Sequence, residues 1–302
     1  MTSSRELPVW RSLLFVPLTV ERFVEKAPTV GADGLQLDLE DSIAPSQKEQ
    51  ARALLPDVAR RYAEGGHDVV VRINRPWRLA LPDLEAAISP HVMAITLPKA
   101  DSAAHVVAIS EVIAELEAER GMTPGHTKLM VLVETPQGFE CMSEIASADA
   151  RVIAMGLGTE DFAAAINAEP LPEVLLAPKQ QMVVAAYAAG VRPMGLVGSI
   201  ADYKDLDRIR DIVRLSKKIG LRGASCFHPN QVLVCNEEFA PSGAEVESAR
   251  RIVAAYEDAH GRGVGAIEVE GIMVDIPVAE RARELLRIHE AIEARLTRGG
   301  AR

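Results

Sequence analysis

Short runs of apolar and β-branched residues recur along the chain at Leu13–Val16, Leu35–Leu39, Val69–Ile73, Ala94–Leu97, Leu129–Val133, Val152–Met155, Val191–Met194 and Ala224–Phe227. Between most of them the apolar positions switch to helical spacing, over Ser46–Ala63, Ala103–Arg120, Pro136–Ile145, Pro178–Ala189 and Tyr203–Ile219. Strands that stay apolar at successive positions instead of alternating are covered on both faces, as in a parallel sheet wrapped by helices. Eight such units over about 225 residues predict a single (β/α)8 barrel, the TIM-barrel fold, whose usual size is about 250 residues. An open, doubly wound sheet is the competing architecture, but no Gly-x-Gly-x-x-Gly follows the first strand, so its dinucleotide-binding version has no support. Beyond Val232–Glu238 the rhythm changes to a helical stretch Gly243–His260, a glycine-bounded Gly261–Gly265, a β-like segment Ala266–Val274 and a last helix Val278–Leu296. This divides the chain into a barrel over 1–240 and a C-terminal helical cap extension over 241–302.

Composition narrows the class. With 302 residues and 48% hydrophobic content the chain can bury a large core. Its 43 acidic and 33 basic residues give a net charge of -10, and the basic residues are scattered, which argues against a nucleic-acid partner. No apolar run approaches the roughly 20 residues of a membrane helix, and the N-terminus lacks the pattern of a signal peptide. A cytoplasmic protein is therefore the expectation. Cys141, Cys226 and Cys235 are an odd number without metal-ligand spacing, and are read as ordinary thiols of a reducing compartment. A catalytic Cys would need a lowered thiol pKa, of which the sequence carries no sign.

In such a barrel the active site is built from the C-terminal ends of the strands. Here strand two ends in Asp38-Leu39-Glu40-Asp41, strand three in Arg72-Ile73-Asn74, strand four in Pro98-Lys99, strand five in Glu134-Thr135-Pro136, and strand six in Gly156-Leu157-Gly158-Thr159-Glu160-Asp161. Glu134 alone reads as an acid favoured by the dipole of the following helix, and Asp161 alone as the cap of a helix beginning at Phe162. On neighbouring strands of one mouth, together they suit Mg²⁺, which takes one or two carboxylates and leaves other positions to water and substrate. Zinc does not fit, because no His or Cys accompanies them. Arg72 ends an apolar strand, where a guanidinium needs an oxyanion or a salt bridge to Asp38, Glu40 or Asp41, and both can hold together. Lys99 reads as an ion pair in preference to a Schiff-base amine, because the acids around it hold it protonated. The Gly156-Leu157-Gly158 turn leads to a helix start, where Gly158, Thr159 and Glu160 can offer backbone N–H groups to a substrate carboxylate. His228, at the end of strand eight, reads equally as a packing residue or a catalytic one.

These segments resemble the citrate lyase β-subunit-like branch of the HpcH/HpaI aldolase family, which includes malyl-CoA and citramalyl-CoA lyases. The likeness runs through Arg11-Ser12-Leu13-Leu14-Phe15-Val16-Pro17, Leu37-Asp38-Leu39-Glu40-Asp41-Ser42, Val71-Arg72-Ile73-Asn74, Leu97-Pro98-Lys99, Glu134-Thr135, Gly158-Thr159-Glu160-Asp161 and His228-Pro229-Asn230-Gln231. It implies Glu134 and Asp161 as Mg²⁺ ligands, with Mn²⁺ as the other possible ion, and Arg72 as the group steadying charge on the reacting oxygen. Asp38, Glu40, Asp41 and Lys99 support them. The tail Glu270-Gly271-Ile272-Met273-Val274-Asp275 resembles the family's Asp-Gly-Lys-Met-Ile-Asp stretch, which implies Asp275 as a proton donor or acceptor supplied in trans by a homotrimer or dimer of trimers. The expected activity is a reversible Claisen or aldol-type carbon–carbon lyase on a hydroxyacyl-CoA such as malyl-, citramalyl- or citryl-CoA. The alternatives are a thioesterase on a malyl-CoA-type ester, a 2-oxo acid aldolase, or a non-autonomous citrate lyase β-like subunit. Three positions depart from the pattern: Leu18 stands where the family has a small residue, Ile272 replaces the tail lysine, and Asp41 stands where pyruvate-using aldolases carry His. Leu18, Gln36 and Trp77 are further candidates for lining the pocket.

Overall fold

Eight parallel strands carry the apolar runs: β1 (Ser12–Pro17), β2 (Gly34–Asp38), β3 (Asp68–Arg72), β4 (Ala94–Leu97), β5 (Lys128–Val133), β6 (Val152–Leu157), β7 (Arg192–Met194) and β8 (Ala224–Cys226). The computed structural model, which describes residues 7–300, places them in the order β7-β6-β5-β4-β3-β2-β1-β8, so β1 pairs with both β2 and β8. This is the expected (β/α)8 barrel. One seam remains between β7 and β8, spanned by hydrogen bonds from Arg222 N–H to the Pro193 carbonyl (3.0 Å) and from Gly195 N–H to the Gly223 carbonyl (2.7 Å). Gly223 is sterically required there, since a Cβ would lie 1.7 Å from the Trp10 carbonyl oxygen.

The helices are α1 (Glu21–Lys26), α2 (Lys48–Glu64), α3 (Trp77–Ala87), α4 (Ala103–Glu119), α5 (Pro136–Glu140), α6 (Met142–Ser147), α7 (Thr159–Ala165), α8 (Pro172–Ala188), α9 (Leu206–Lys218) and α10 (Pro229–Phe239). The stretch expected as one helix over Pro136–Ile145 is two, broken at Cys141. Helix α8 starts earlier than its apolar spacing suggests, because Pro172, not Pro178, takes the first-turn position where a missing N–H costs nothing. The main core lies between the outer strand faces and these helices. A second cluster fills the barrel interior, where Trp10, fully buried, packs with Leu13, Val70, Met130 and Met194 and donates from Nε1 to Asp68 Oδ2 at 2.7 Å. Register carries the inward row on from Asp38 to Arg72, Thr96 and Met130. The polar part of that row lies at the C-terminal ends of its strands, so the plugged barrel presents its ionisable groups at one mouth.

The chain separates into two units, Met1–Phe239 and Ala240–Arg302. In the second, α11 (Gly243–Gly261) opens with a reciprocal capping box between Ser242 and Glu245. The segment expected as one β-like stretch is an antiparallel hairpin of β9 (Ile267–Val269) and β10 (Ile272–Val274), followed by α12 (Ile276–Gly300). Glu270 and Gly271 turn it with φ of 52° and 80°, the left-handed pair that matches strand twist. Tyr256, Val274 and Ala279 form this unit's own small core.

Candidate active site at the barrel mouth

Arg72 is the centre of the ion-pair network. Its Nε and Nη2 donate to the two oxygens of Asp38, each at 2.7 Å, and Nη1 lies 2.9 Å from Glu40 and 3.8 Å from Asp41. The guanidinium also sits over the Phe15 ring, 4.4 Å from its centroid. Asp38 is fully buried and further accepts the N–H groups of Glu40 and Ser42. Burial alone would raise its pKa, but Arg72 outweighs that and holds the carboxyl below its usual range. The salt bridge expected as one reading of Arg72 is thus present. Two of the guanidinium's five N–H bonds are spent on Asp38, and the Nη1 contact to Glu40 is an ion pair without a hydrogen bond, so its partners do not exhaust it.

Lys99 ties the neighbouring acids together. It adopts a left-handed backbone (φ 49°), unusual for a side-chain-bearing residue, and this conformation accompanies an N–H bond to Glu134 Oε2 at 2.7 Å. Its Nζ donates to Glu40 Oε1, also at 2.7 Å. Burial would lower the amine's pKa, but the bond to Glu40 and the charges of Glu40 and Glu134 raise it, so Lys99 is an ion-paired ammonium and not a Schiff-base amine. Lys48 reaches the same turn, donating to the Leu39 and Glu40 carbonyls at 2.8 and 2.7 Å.

Glu134 is 5% exposed, and its carboxyl is pushed up to about 7, first by burial and then by the charges of Asp161 and Glu40. Gly158 packs against it: a Cβ there would meet Glu134 Cγ at 2.6 Å and Oε1 at 3.0 Å. Helix α7 begins at Thr159 and not near Phe162, so Glu160 and Asp161 occupy its first turn and Gly158 precedes it. The N–H groups of that first turn have no acceptor within the helix. Arg72, Glu134, Gly158, Thr159, Glu160 and Asp161 line one cavity of about 180 Å³.

Other candidates lie elsewhere. Leu18 is buried in the outer core, and Gln36 is buried inside the barrel with neither amide atom hydrogen-bonded. Trp77, 41% exposed, stands edge-on to His105. None of the three lines the cavity. His228 stacks on Tyr203 (4.2 Å between centroids) and accepts the Asn230 N–H at Nδ1, a packing role; its neighbour Phe227 lines the cavity instead. Cys226 and Cys235 are buried with sulfurs 3.8 Å apart, and that contact, with burial, raises the Cys226 thiol. Asp275 belongs to the second unit, where its Oδ1 accepts the Val278 N–H at the start of α12; Ile272 there is 55% exposed.

Lys179 on α8 is a residue the strand-end argument misses. It is fully buried, and its Nζ bonds to the Leu157 carbonyl and to Thr159 Oγ1 (3.2 Å), holding the turn that leads to Asp161. Burial lowers its pKa to about 7 against the opposing pull of Glu134. The signal was available: Lys179 stands in helical register with Leu175, Met182, Val183 and Ala186 on a buried face.

The donors at Glu134 and Asp161 are carboxylate oxygens, which suit a hard cation such as Mg²⁺ and not zinc. Burial first, and then the charges of Asp161 and Glu40, raise the Glu134 carboxyl, and a cation at these oxygens would offset both. Among the described residues no group of three or more His, Cys, Asp or Glu side chains is gathered as a metal site. Two carboxylates suffice for an ion that keeps most of its shell for water and substrate. The residues therefore fit a magnesium ion. Among the described residues, no helix is long and apolar enough to cross a membrane.

Comparison with known proteins points the same way. The family model for HpcH/HpaI aldolase/citrate lyase matches residues 11–229. The chain is 34% identical over 281 residues to citrate lyase subunit beta of Escherichia coli (strain K12), covering 91% of this chain and 92% of that protein. Two Cereibacter sphaeroides proteins are similar at nearly the same level. One is an L-malyl-CoA/beta-methylmalyl-CoA lyase, 33% identical over 94% of this chain and 96% of its own. The other is a (3S)-malyl-CoA thioesterase, 32% identical with the same coverage. Among solved structures, CitE from Mycobacterium tuberculosis in complex with magnesium, acetoacetate and coenzyme A has a TM-score of 0.74 at 29% identity, covering 95% of this chain and 99% of that one.

Proposed function

This chain belongs to the HpcH/HpaI aldolase/citrate lyase family, and from that premise we propose that it is a Mg²⁺-dependent carbon–carbon lyase acting on a hydroxyacyl-CoA of the malyl-, citramalyl- or citryl-CoA type. The observation that carries this reading is the convergence of Glu134, Asp161 and Arg72 on one cavity. Glu134 and Asp161 would hold the ion, which when bound would supply a Lewis acid for the oxygen on the carbon that becomes the oxo carbon. The substrate carboxylate lies against the N–H groups of Thr159 and Glu160 that open α7, beside Gly158.

In the cleavage direction the hydroxyl gives up its proton to Asp275, which returns it in the last step, and a carbonyl forms at that carbon. The adjacent C–C bond breaks, and its electron pair passes to the thioester α-carbon as an enolate. Arg72 offsets negative charge on the reacting oxygen with the N–H bonds its carboxylate partners leave over. Protonation of the enolate yields the shorter thioester beside the free 2-oxo acid. Asp275, supplied by a neighbouring subunit of a trimer or dimer of trimers, exchanges that proton. Asp38, Glu40, Asp41 and Lys99 hold Arg72 and Glu134 in place.

The malyl-CoA thioesterase among the relatives favours one second reading, hydrolysis at the same site. Product analysis with Mg²⁺ separates the two: lysis gives a 2-oxo acid and a shorter thioester, hydrolysis the intact hydroxy acid and free CoA. Asp161→Ala should abolish metal-dependent turnover while leaving the circular-dichroism spectrum and unfolding transition in place. Full activity of that variant, or of the wild type without metal, rules out the assignment.

A further inference from the structure

Helix α7, which carries Asp161, starts without a cap of its own. On the neighbouring strand Glu134 is followed by Thr135, whose hydroxyl accepts the Gly138 N–H at 3.1 Å and fixes the opening of α5. The matching position before α7 is Gly158, which has no side chain to cap the helix and cannot be given one without meeting Glu134. Glu160 and Asp161 then follow in the first turn, and Asp161 and Glu134 are near enough for their charges to oppose each other. The hold on this turn comes from α8. Lys179 Nζ donates to the carbonyl of Leu157, the last residue of β6, and to Oγ1 of Thr159, the first residue of α7, at 3.2 Å. The Thr159 hydroxyl carries the link onward by donating to the Leu196 carbonyl at 3.3 Å, in the loop after β7. Nζ is also the nearest atom to where a Gly195 Cβ would stand, 3.4 Å away. Leu157, Thr159, Gly195 and Leu196 all line the cavity, so one amino group ties three pieces of its wall together.

Resting on the reading of Glu134 and Asp161 as the Mg²⁺ ligands, we propose that Lys179 is a positioning residue of the active site, which takes the place of the missing helix cap and holds the Asp161 turn against Glu134 for joint binding of the ion. It acts through Leu157 and Thr159 and does not itself line the cavity. Packing alone does not account for a lysine here. Its side chain is fully buried on a helix face shared with Leu175, Met182, Val183 and Ala186, and both of its hydrogen bonds go to neutral oxygens. Burying an amine in this way is costly, and a methionine of similar length would fill the same slot without that cost. A residue that breaks the local packing rule while holding a site together is the pattern expected of a functional position. Without the link, the repulsion between the two carboxylates has less to oppose it and the turn carrying Asp161 relaxes away from Glu134.

The test compares full-length wild type, Lys179→Met, Thr159→Val, the double variant and Val183→Ala. Each is titrated with Mg²⁺ alone by calorimetry, unfolded in urea without metal, and assayed for malyl-CoA cleavage over a range of Mg²⁺. Lys179→Met should weaken Mg²⁺ binding by about 10–100-fold, the usual effect of losing a group that orients a metal ligand. Thr159→Val should weaken it less, and the double variant no more than Lys179→Met alone, because both changes break the same link. Val183→Ala hollows the same buried helix face, so it should lower the urea midpoint and leave Mg²⁺ affinity as in the wild type. Lys179→Met that binds Mg²⁺ within about twofold of the wild type, or effects of the two changes that simply add, overturns the inference. If Lys179→Met does not fold, Thr159→Val decides: unchanged Mg²⁺ affinity there overturns it as well. Wild type that binds Mg²⁺ without cleaving malyl-CoA fails the lyase reading on that substrate, and the calorimetry still decides the role of Lys179; wild type that binds no Mg²⁺ overturns the metal site and this inference together.

Discussion

Gly158→Ala isolates the role of Glu134 better than any change at Glu134 itself. Gly158 has φ -60° and ψ 128°, which alanine adopts without strain, so the backbone does not resist the substitution. The unfolded chain loses freedom with alanine, which favours folding by about 0.4–1 kcal/mol. Against this, the added methyl would stand 2.6 Å from Glu134 Cγ and 3.0 Å from Oε1, where carbon atoms prefer roughly 3.5–4.0 Å. Glu134 cannot yield by swinging its tip alone, because the conflict reaches Cγ and Oε2 is tied to the Lys99 N–H at 2.7 Å. The carboxylate must therefore shift by about 1 Å, and overpacking of this kind costs about 1–3 kcal/mol. Net stability should fall by no more than about 2.6 kcal/mol, while a misplacement of that size in a catalytic group costs on the order of 100-fold in rate. Steady-state kinetics over a Mg²⁺ titration, with urea unfolding of the same preparations, reads both quantities. A variant of ordinary stability that keeps wild-type turnover and Mg²⁺ dependence would refute the argument that Glu134 is held in a working position by the absence of a side chain at Gly158.

Two further substitutions probe the surrounding charges. Arg72→Lys keeps the charge but loses the fork that grips both oxygens of the fully buried Asp38, so turnover should fall by about 100-fold or more and stability by about 2–5 kcal/mol. Kinetics and denaturant midpoints check this, and a loss under about 1 kcal/mol would show that Asp38 does not depend on the bidentate contact. Lys179→Met tests a buried ammonium through pH. The folded chain holds Lys179 at about 7 and the unfolded chain near 10.5, so the unfolded state binds more protons between those values and stability rises with pH across that window. The slope from this group is at most about 1.4 kcal/mol per pH unit. Subtracting the methionine variant's unfolding free energy from the wild type's between pH 7 and 10 cancels the other groups; a difference that stays flat would mean Lys179 is not buried as a strained base.

Much of the barrel was legible because its signals are local. Each strand announces itself by its own apolar run, and the observed bounds fall within one or two residues of the expected ones, with Ala94–Leu97 unchanged. The ionisable strand ends were legible for the same reason, since parallel strands that close a barrel bring those ends to one mouth whatever lies between them. What escaped depends on depth or on partners distant in the chain. The turn at Glu270-Gly271 lacks the Asn-Gly or Asp-Gly signature of a tight hairpin. Lys179 reads as an ordinary helix residue until its face is known to be covered. Gly158 reads as a turn glycine or an N–H donor, yet the closer constraint on it is clearance for a side chain 24 positions earlier in the chain. Gln36 is a pocket candidate in the sequence, but period-two alternation carries it inward below the mouth.

The ion pairs themselves locate the reacting end of the site. Most acids at the mouth have a cation of their own: Asp38 takes Arg72, Glu40 takes Arg72 and Lys99, Asp83 takes Arg52, and Asp101 takes Arg75. Glu134 and Asp161, among the described residues, form no ion pair, and their mutual repulsion adds to the rise in the Glu134 pKa. An acid cluster assembled for stability alone would pair the buried Glu134 as it pairs the others, because a buried carboxylate without a counter-charge is destabilising. Leaving this couple, with Glu160 beside it, outside the ion pairs of the other mouth acids concentrates uncompensated negative charge between strands β5 and β6, and a divalent ion is the species that discharges it. The motif at each strand end suggests this place separately; the distribution of partners around it is the physical reason for preferring a metal over two helix-capping acids.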